Sequence, residues 1–144
     1  MTATDRRVTV TSQEGGYRNL IVNTRGHTAI ADEPSSLGGS DQGFGPFELL
    51  CASLGACTSI TLVMYARRKA WPLQDVRVEL EYVRAGEQDR PGNGPDLIRR
   101  SIRLFGDLTA EQRERLGEIA ARCPVAKTLR GTSIEILDQI FGEP

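Results

Sequence analysis

Arg7 to Ser12, RVTVTS, alternates apolar and polar positions and is rich in β-branched residues, which predicts a strand. Gly15-Gly16 marks a turn, and Leu20 to Asn23 predicts a second strand. Arg25-Gly26 punctuates again, and HTAIADEP predicts a third strand ending at Pro34. Three short strands joined by tight turns imply an antiparallel meander. Ser35 to Gly45, SSLGGSDQGFG, has no period and reads as a loop. From Pro46 to about Lys69 the apolar residues cover nearly every face of a helix, so this helix is expected to be central and buried on most sides. Proline suits its first turn, and Glu48 complements its positive end.

Val76 to Val83 alternates cleanly, with Val76, Val78, Leu80 and Tyr82 opposite Arg77, Glu79 and Glu81. That is a strand with one wet face. Gly86 to Asp96 is a polar loop, and Leu97 to Phe105 predicts the second strand of a long hairpin, with Ile98, Ile102 and Leu104 apolar among Arg99, Arg100 and Arg103. TAEQRERLGEIAARC predicts a helix with Thr109 as N-cap and Gln112 completing a capping box. Cys123-Pro124 breaks it, VAKTLRG predicts a short helix closed by Gly131, and Ser133 to Leu137 predicts a last strand. The order βββ-α-ββ-α-α-β is an α+β fold, in one domain over residues 1–144.

Composition narrows the function. A chain of 144 residues with a net charge of -1 and no long single-sign block is not expected to take nucleic acid as a main partner. The first residues carry no apolar signal core, so a cytoplasmic setting is expected. The apolar stretch Leu49 to Ala66 is interrupted by Ser and Thr and sits mid-chain, which favours a buried helix over a membrane span. No metal or cofactor is expected: His27 is the only histidine, and the three cysteines lack zinc-site spacing.

The cysteines are the candidates for chemistry. Cys51 and Cys57 lie about 240° apart around a helix, so they do not share a face. Cys51 reads as a core residue. Cys57, in LGACTS, has small neighbours that suit either the approach of another molecule or close helix packing. Cys123 precedes Pro124 and falls at the N-cap of a helix, where backbone N–H groups favour thiolate; a plain corner-filling role fits the same position.

Three segments together, GHTAIADEPSSLGGSDQGFGPFELLCASLGACTS, YARRKAWPLQDVRVELEY and RCPVAKTLRG, resemble the OsmC/Ohr family of osmotically inducible and organic-hydroperoxide-resistance proteins. The likeness spans about residues 20–140 and is nearest to a less characterised OsmC-like branch. It implies antiparallel sheets wrapped around the central helix in an intertwined homodimer. It implies a thiol peroxidase, in which the cysteine matching Cys57 is oxidised by an organic hydroperoxide, Cys123 resolves it to a disulfide, and a dithiol such as dihydrolipoamide restores both. An arginine from the meander, matched by Arg18 or Arg25, would stabilise the thiolate. The family's clamp glutamate falls on Phe47. Glu48, one residue on, is kept among the catalytic candidates but reads more as a helix-start acid. Phe44, Phe47 and His27 are the expected lining of the substrate pocket. Two other readings stay open: a dimer that binds an apolar small ligand, and a thiol redox sensor without peroxidase activity.

Overall fold

The computed structural model describes residues 5–131 and 134–142. The element order is β1 (Val8–Ser12), β2 (Asn19–Asn23), β3 (Thr28–Ala31), α1 (Pro46–Arg68), β4 (Leu73–Val83), β5 (Leu97–Gly106), α2 (Ala110–Ala120) and α3 (Pro124–Arg130). This is the α+β arrangement expected. The residues fall into two compact units, one of residues 5–52 and 82–97, the other of residues 53–81 and those from 98 onward.

In the first unit β1, β2 and β3 form an antiparallel sheet with β2 at its centre. The register places Val10 opposite Ile21 and Leu20 opposite Ile30. Asn23 builds the β2–β3 turn: its Oδ1 accepts the N–H groups of Arg25 and His27, both at 3.0 Å. Gly26 lies within that turn at φ +86°, a conformation glycine adopts without penalty. After β3 the buried Asp32 carboxylate accepts N–H groups from Glu33, Ser40 and Gln42, which winds the following loop around it. The loop contains one short 3-10 turn, Ser35–Leu37, that sequence periodicity did not mark.

In the second unit Leu62, Ala66, Leu108, Leu116, Ile119 and Ala120 form the core, with Tyr65, Trp71, Ile102 and Leu104 packed against it. Leu62 and Leu116 are fully buried, each contributing roughly 1.5–3 kcal/mol over the exposed state. The capping box of α2 is present in both halves: Gln112 N–H donates to Thr109 Oγ1 at 3.1 Å, and Thr109 N–H donates to Gln112 Oε1 at 3.0 Å. β4 and β5 pair as the expected hairpin, and both alternate half-buried with exposed positions over most of their length.

Two expectations are corrected. The buried positions of α1 are Cys51, Leu54, Gly55, Thr58, Leu62 and Ala66, one stripe at helical spacing, whereas Ile60 and Met64 are each 59% exposed. An apolar composition on every face permits burial on every face, but a single chain covers only one. By length and composition alone α1 could cross a bilayer; the buried stripe gives it protein neighbours along its length. The last strand is the second correction. Ile134 to Leu137 are not in a strand and are exposed, while Ser133 lies outside the described residues. A period-two pattern makes a strand only where a sheet edge is available to pair with it.

Candidate functional site

The C-terminal half of α1, β5 and the start of α3 bring two thiols together. Leu54, Cys123 and Ala126 form a buried cluster, with Cys57, Leu80, Ile98 and Val125 packed on it. All three cysteines are free thiols. Cys57 is half-buried; Cys123 is fully buried. Gly55 makes close packing possible: a Cβ there would stand 2.8 Å from Leu80 Cδ1. Of the small residues beside Cys57, Gly55 serves helix–strand packing.

Cys123 is the N-cap of α3, and its Sγ accepts the Ala126 N–H at 3.3 Å. Thr58, fully buried one residue after Cys57, lies with Oγ1 3.8 Å from Cys123 Sγ. Arg100 reaches in from β5: its Nη1 donates to Thr58 Oγ1 at 2.9 Å and lies 4.0 Å from Cys123 Sγ. Burial opposes ionisation of this thiol. The Ala126 N–H, Thr58, Cys57 and the charge of Arg100 outweigh it, and the pKa of Cys123 is held below that of an ordinary thiol. The direction is the one its N-cap position predicted.

Proton counting shows how the cluster adapts. The Thr58 hydroxyl has one proton and two lone pairs. It donates to Leu54 O at 2.7 Å and accepts from Arg100. Its second lone pair is free to accept the Cys123 S–H while the thiol is neutral. Once the thiol ionises, the Ala126 N–H and Arg100 supply donors to sulfur in its place.

Cys51 behaves as core: it is buried, and burial followed by the charge of Glu48 pushes its thiol upward. Glu48 acts as a helix-start acid, with Oε2 accepting the Gly45 N–H at 2.6 Å. The other sequence candidates belong to the first unit. Arg18 donates through Nη1 to Gln13 Oε1, and its Nε is buried without a hydrogen-bond partner among the described residues. Arg25 and His27 are exposed at the β2–β3 turn, where His27 Nδ1 lies 3.1 Å from Asn23 Nδ2. Phe44 is bridged to Ala31 through its backbone, with its side chain exposed. Phe47 stacks on Tyr82 at 4.3 Å between ring centroids, and the Arg84 guanidinium lies 5.6 Å from the Phe47 ring centre.

Sequence reasoning missed Thr58 and Arg100. The signal for Arg100 was present. In LIRRSIRLFG the inward phase is Ile98, Arg100, Ile102 and Leu104. One arginine thus stands in an apolar phase, where a charge needs a buried partner. Among the described residues no carboxylate lies within ion-pair distance of it.

The fold has counterparts among known proteins. The chain is similar in fold to an OsmC-like protein from Mycoplasma pneumoniae, with a TM-score of 0.71 at 20% identity over 92% of each chain. It is also similar to the organic hydroperoxide resistance protein OsmC of Legionella pneumophila, with a TM-score of 0.60 at 21% identity over 90% of this chain and 93% of that one. A third is the organic hydroperoxide resistance protein OhrB of Bacillus subtilis, with a TM-score of 0.58 at 22% identity over 88% and 92%. At these identities the likeness establishes the fold. No curated protein matches the chain. The family profile described as OsmC-like protein matches residues 39–137, which include both Cys57 and Cys123. The chain therefore belongs to the OsmC-like family.

Proposed function

We propose that this protein is a thiol peroxidase that reduces organic hydroperoxides, with Cys57 as the peroxidatic and Cys123 as the resolving thiol. The observation that carries this reading is the pairing of a half-buried Cys57 with a fully buried Cys123 in one cluster. The thiol that meets peroxide needs access; the thiol that resolves needs only its partner. Family membership and neighbours named for organic hydroperoxide resistance support the same role.

The Cys57 thiolate attacks the distal peroxide oxygen. An S–O bond forms as the O–O bond breaks, and the alkoxide leaves and takes a proton to become the alcohol. Cys57 is now a sulfenic acid. The Cys123 thiolate attacks its sulfur, the S–S bond forms, and hydroxide departs as water. A dithiol of the dihydrolipoamide class reduces the disulfide and becomes a disulfide itself. The working form in this proposal is a cytoplasmic homodimer, acting away from membranes and nucleic acid, in which a second copy covers the apolar residues Ile60 and Met64.

The test is a single-turnover reaction of the fully reduced protein with one equivalent of cumene hydroperoxide. One equivalent of alcohol and a Cys57–Cys123 disulfide, mapped by mass spectrometry, are expected. A Cys57→Ser variant that consumes hydroperoxide at the wild-type rate would overturn the reading.

A further inference from the structure

We propose that Arg100, with Thr58, is the positioning pair that seats Cys123 as a thiolate in the reduced enzyme, and that it serves the disulfide-forming step rather than the reaction with peroxide. This rests on the peroxidase reading above but is carried by separate observations. Arg100 occupies the inward phase of β5. Among the described residues its guanidinium has no carboxylate in ion-pair range. Its Nη1 faces two groups, the hydroxyl of a fully buried threonine and the sulfur of a fully buried cysteine. A half-buried arginine without a carboxylate is poorly compensated unless a negative charge forms beside it. Cys123 Sγ, at 4.0 Å, is the group that supplies that charge.

The consequence is a division of labour. A resolving thiol works by attacking a sulfenic sulfur, and only its thiolate is nucleophilic. With Cys123 held toward the thiolate by Arg100, attack on the Cys57 sulfenic acid waits less on deprotonation. The electrons of the new S–S bond come from the Cys123 thiolate, and the hydroxide released from Cys57 takes up a proton to leave as water. Rapid closure also limits the time in which Cys57 remains a sulfenic acid open to a second hydroperoxide and irreversible oxidation to sulfinic acid. Thr58 takes part as the hinge of the proton count. It holds Arg100 in place in both states and accepts the Cys123 S–H when the thiol is neutral.

Two measurements on the full-length reduced protein test this. The first titrates Cys123 by its thiolate absorbance in a Cys57→Ser, Cys51→Ala background, with Arg100 intact or changed to Met or Lys. Arg100→Met moves the titration to higher pH and Arg100→Lys restores it in part; an unmoved titration overturns the proposal even if the protein reduces no peroxide. The second follows peroxide consumption and disulfide closure separately in single turnovers with both active-site cysteines present. In Arg100→Met the ratio of closure rate to peroxide-consumption rate falls about tenfold, and the Cys57 sulfenic acid becomes trappable by a carbon-acid reagent. Equal slowing of both steps, or closure at the wild-type rate, overturns the proposal. If Arg100→Met fails to fold, Arg100→Gln takes its place in both arms. Absence of peroxide consumption by the wild-type protein would count against the peroxidase reading alone and leave the titration decisive for Arg100.

Discussion

Arg100 Nη1 lies 4.0 Å from Cys123 Sγ, and no carboxylate among the described residues is near enough to neutralise that guanidinium. A buried thiol alone would resist ionisation. Here Arg100 joins the Ala126 N–H and the hydrogen bonds of Thr58 and Cys57, and the direction reverses. The pair links a strand residue, whose place is set by period two, to a helix cap, whose place is set by a proline.

Thr58→Val removes the hydroxyl that accepts from Arg100 and lies beside Cys123. A half-buried charged donor loses its acceptor, so a loss of about 1 kcal/mol in urea unfolding is expected. The Cys123 titration moves to higher pH, because Arg100 loses the acceptor that holds it beside the sulfur. Unchanged stability together with an unchanged titration would contradict the geometry described.

Stability should depend on pH through Cys123. Its thiol is held below its ordinary value in the fold, so between the folded and unfolded values the unfolded chain binds more protons. Its contribution is fully present above the unfolded value and is lost as pH falls through the folded one. Cys51 has the opposite sign: its raised thiol contributes stability that is lost as pH rises through its folded value. In a Cys51→Ala background, urea midpoints of the reduced protein should rise from neutral to mildly alkaline pH. Adding Cys123→Ser should flatten that rise.

Gly55→Val should be strongly destabilising. Even a Cβ meets Leu80 Cδ1 at 2.8 Å, and the branches of valine demand a larger displacement of that side chain. Overpacking of this kind costs about 1–3 kcal/mol. Gly55→Ala, which asks only the tip of Leu80 to shift, should cost less. Equal melting temperatures for wild type and the valine variant would refute the close approach.

Cys51→Ala should leave hydroperoxide turnover within about twofold and cost about 1 kcal/mol or somewhat more through the small cavity it leaves. Cys51 is buried and its thiol is pushed upward, both unsuited to nucleophilic work. Loss of turnover in a folded Cys51→Ala protein would place chemistry where none is expected.

The uncovered face of α1 predicts the oligomeric state. Replacing Ile60 and Met64, each 59% exposed in the single chain, by lysine should convert the proposed dimer to monomer in light scattering. A wild-type protein that is monomeric at micromolar concentration would remove the dimer from the proposal.

Much of the molecule was legible in advance because its signals are local. Alternation placed β4 and β5, Pro46 opened α1, and Thr109 with Gln112 announced a capping box formed in both directions. Helical phase assigned Cys51 to the core, and Cys123-Pro124 marked an N-cap. What failed was also local in origin. Ile134 to Leu137 look like a strand, but pairing is a property of the neighbour. The all-round apolar α1 looked buried, but burial is a property of what surrounds it.

The sequence by itself determined the order of elements from β1 to α3, the two thiols and the cap that holds one of them, because propensity, periodicity and capping act within a few residues. Only the tertiary structure decided that Thr58 and Arg100 meet Cys123. They come from α1 and β5, away from it along the chain, and a half-buried charge has no signature in its own segment beyond standing in the wrong phase of a strand. That one misplaced arginine was the trace the sequence carried; the sulfur that gives it a reason was supplied by the packing.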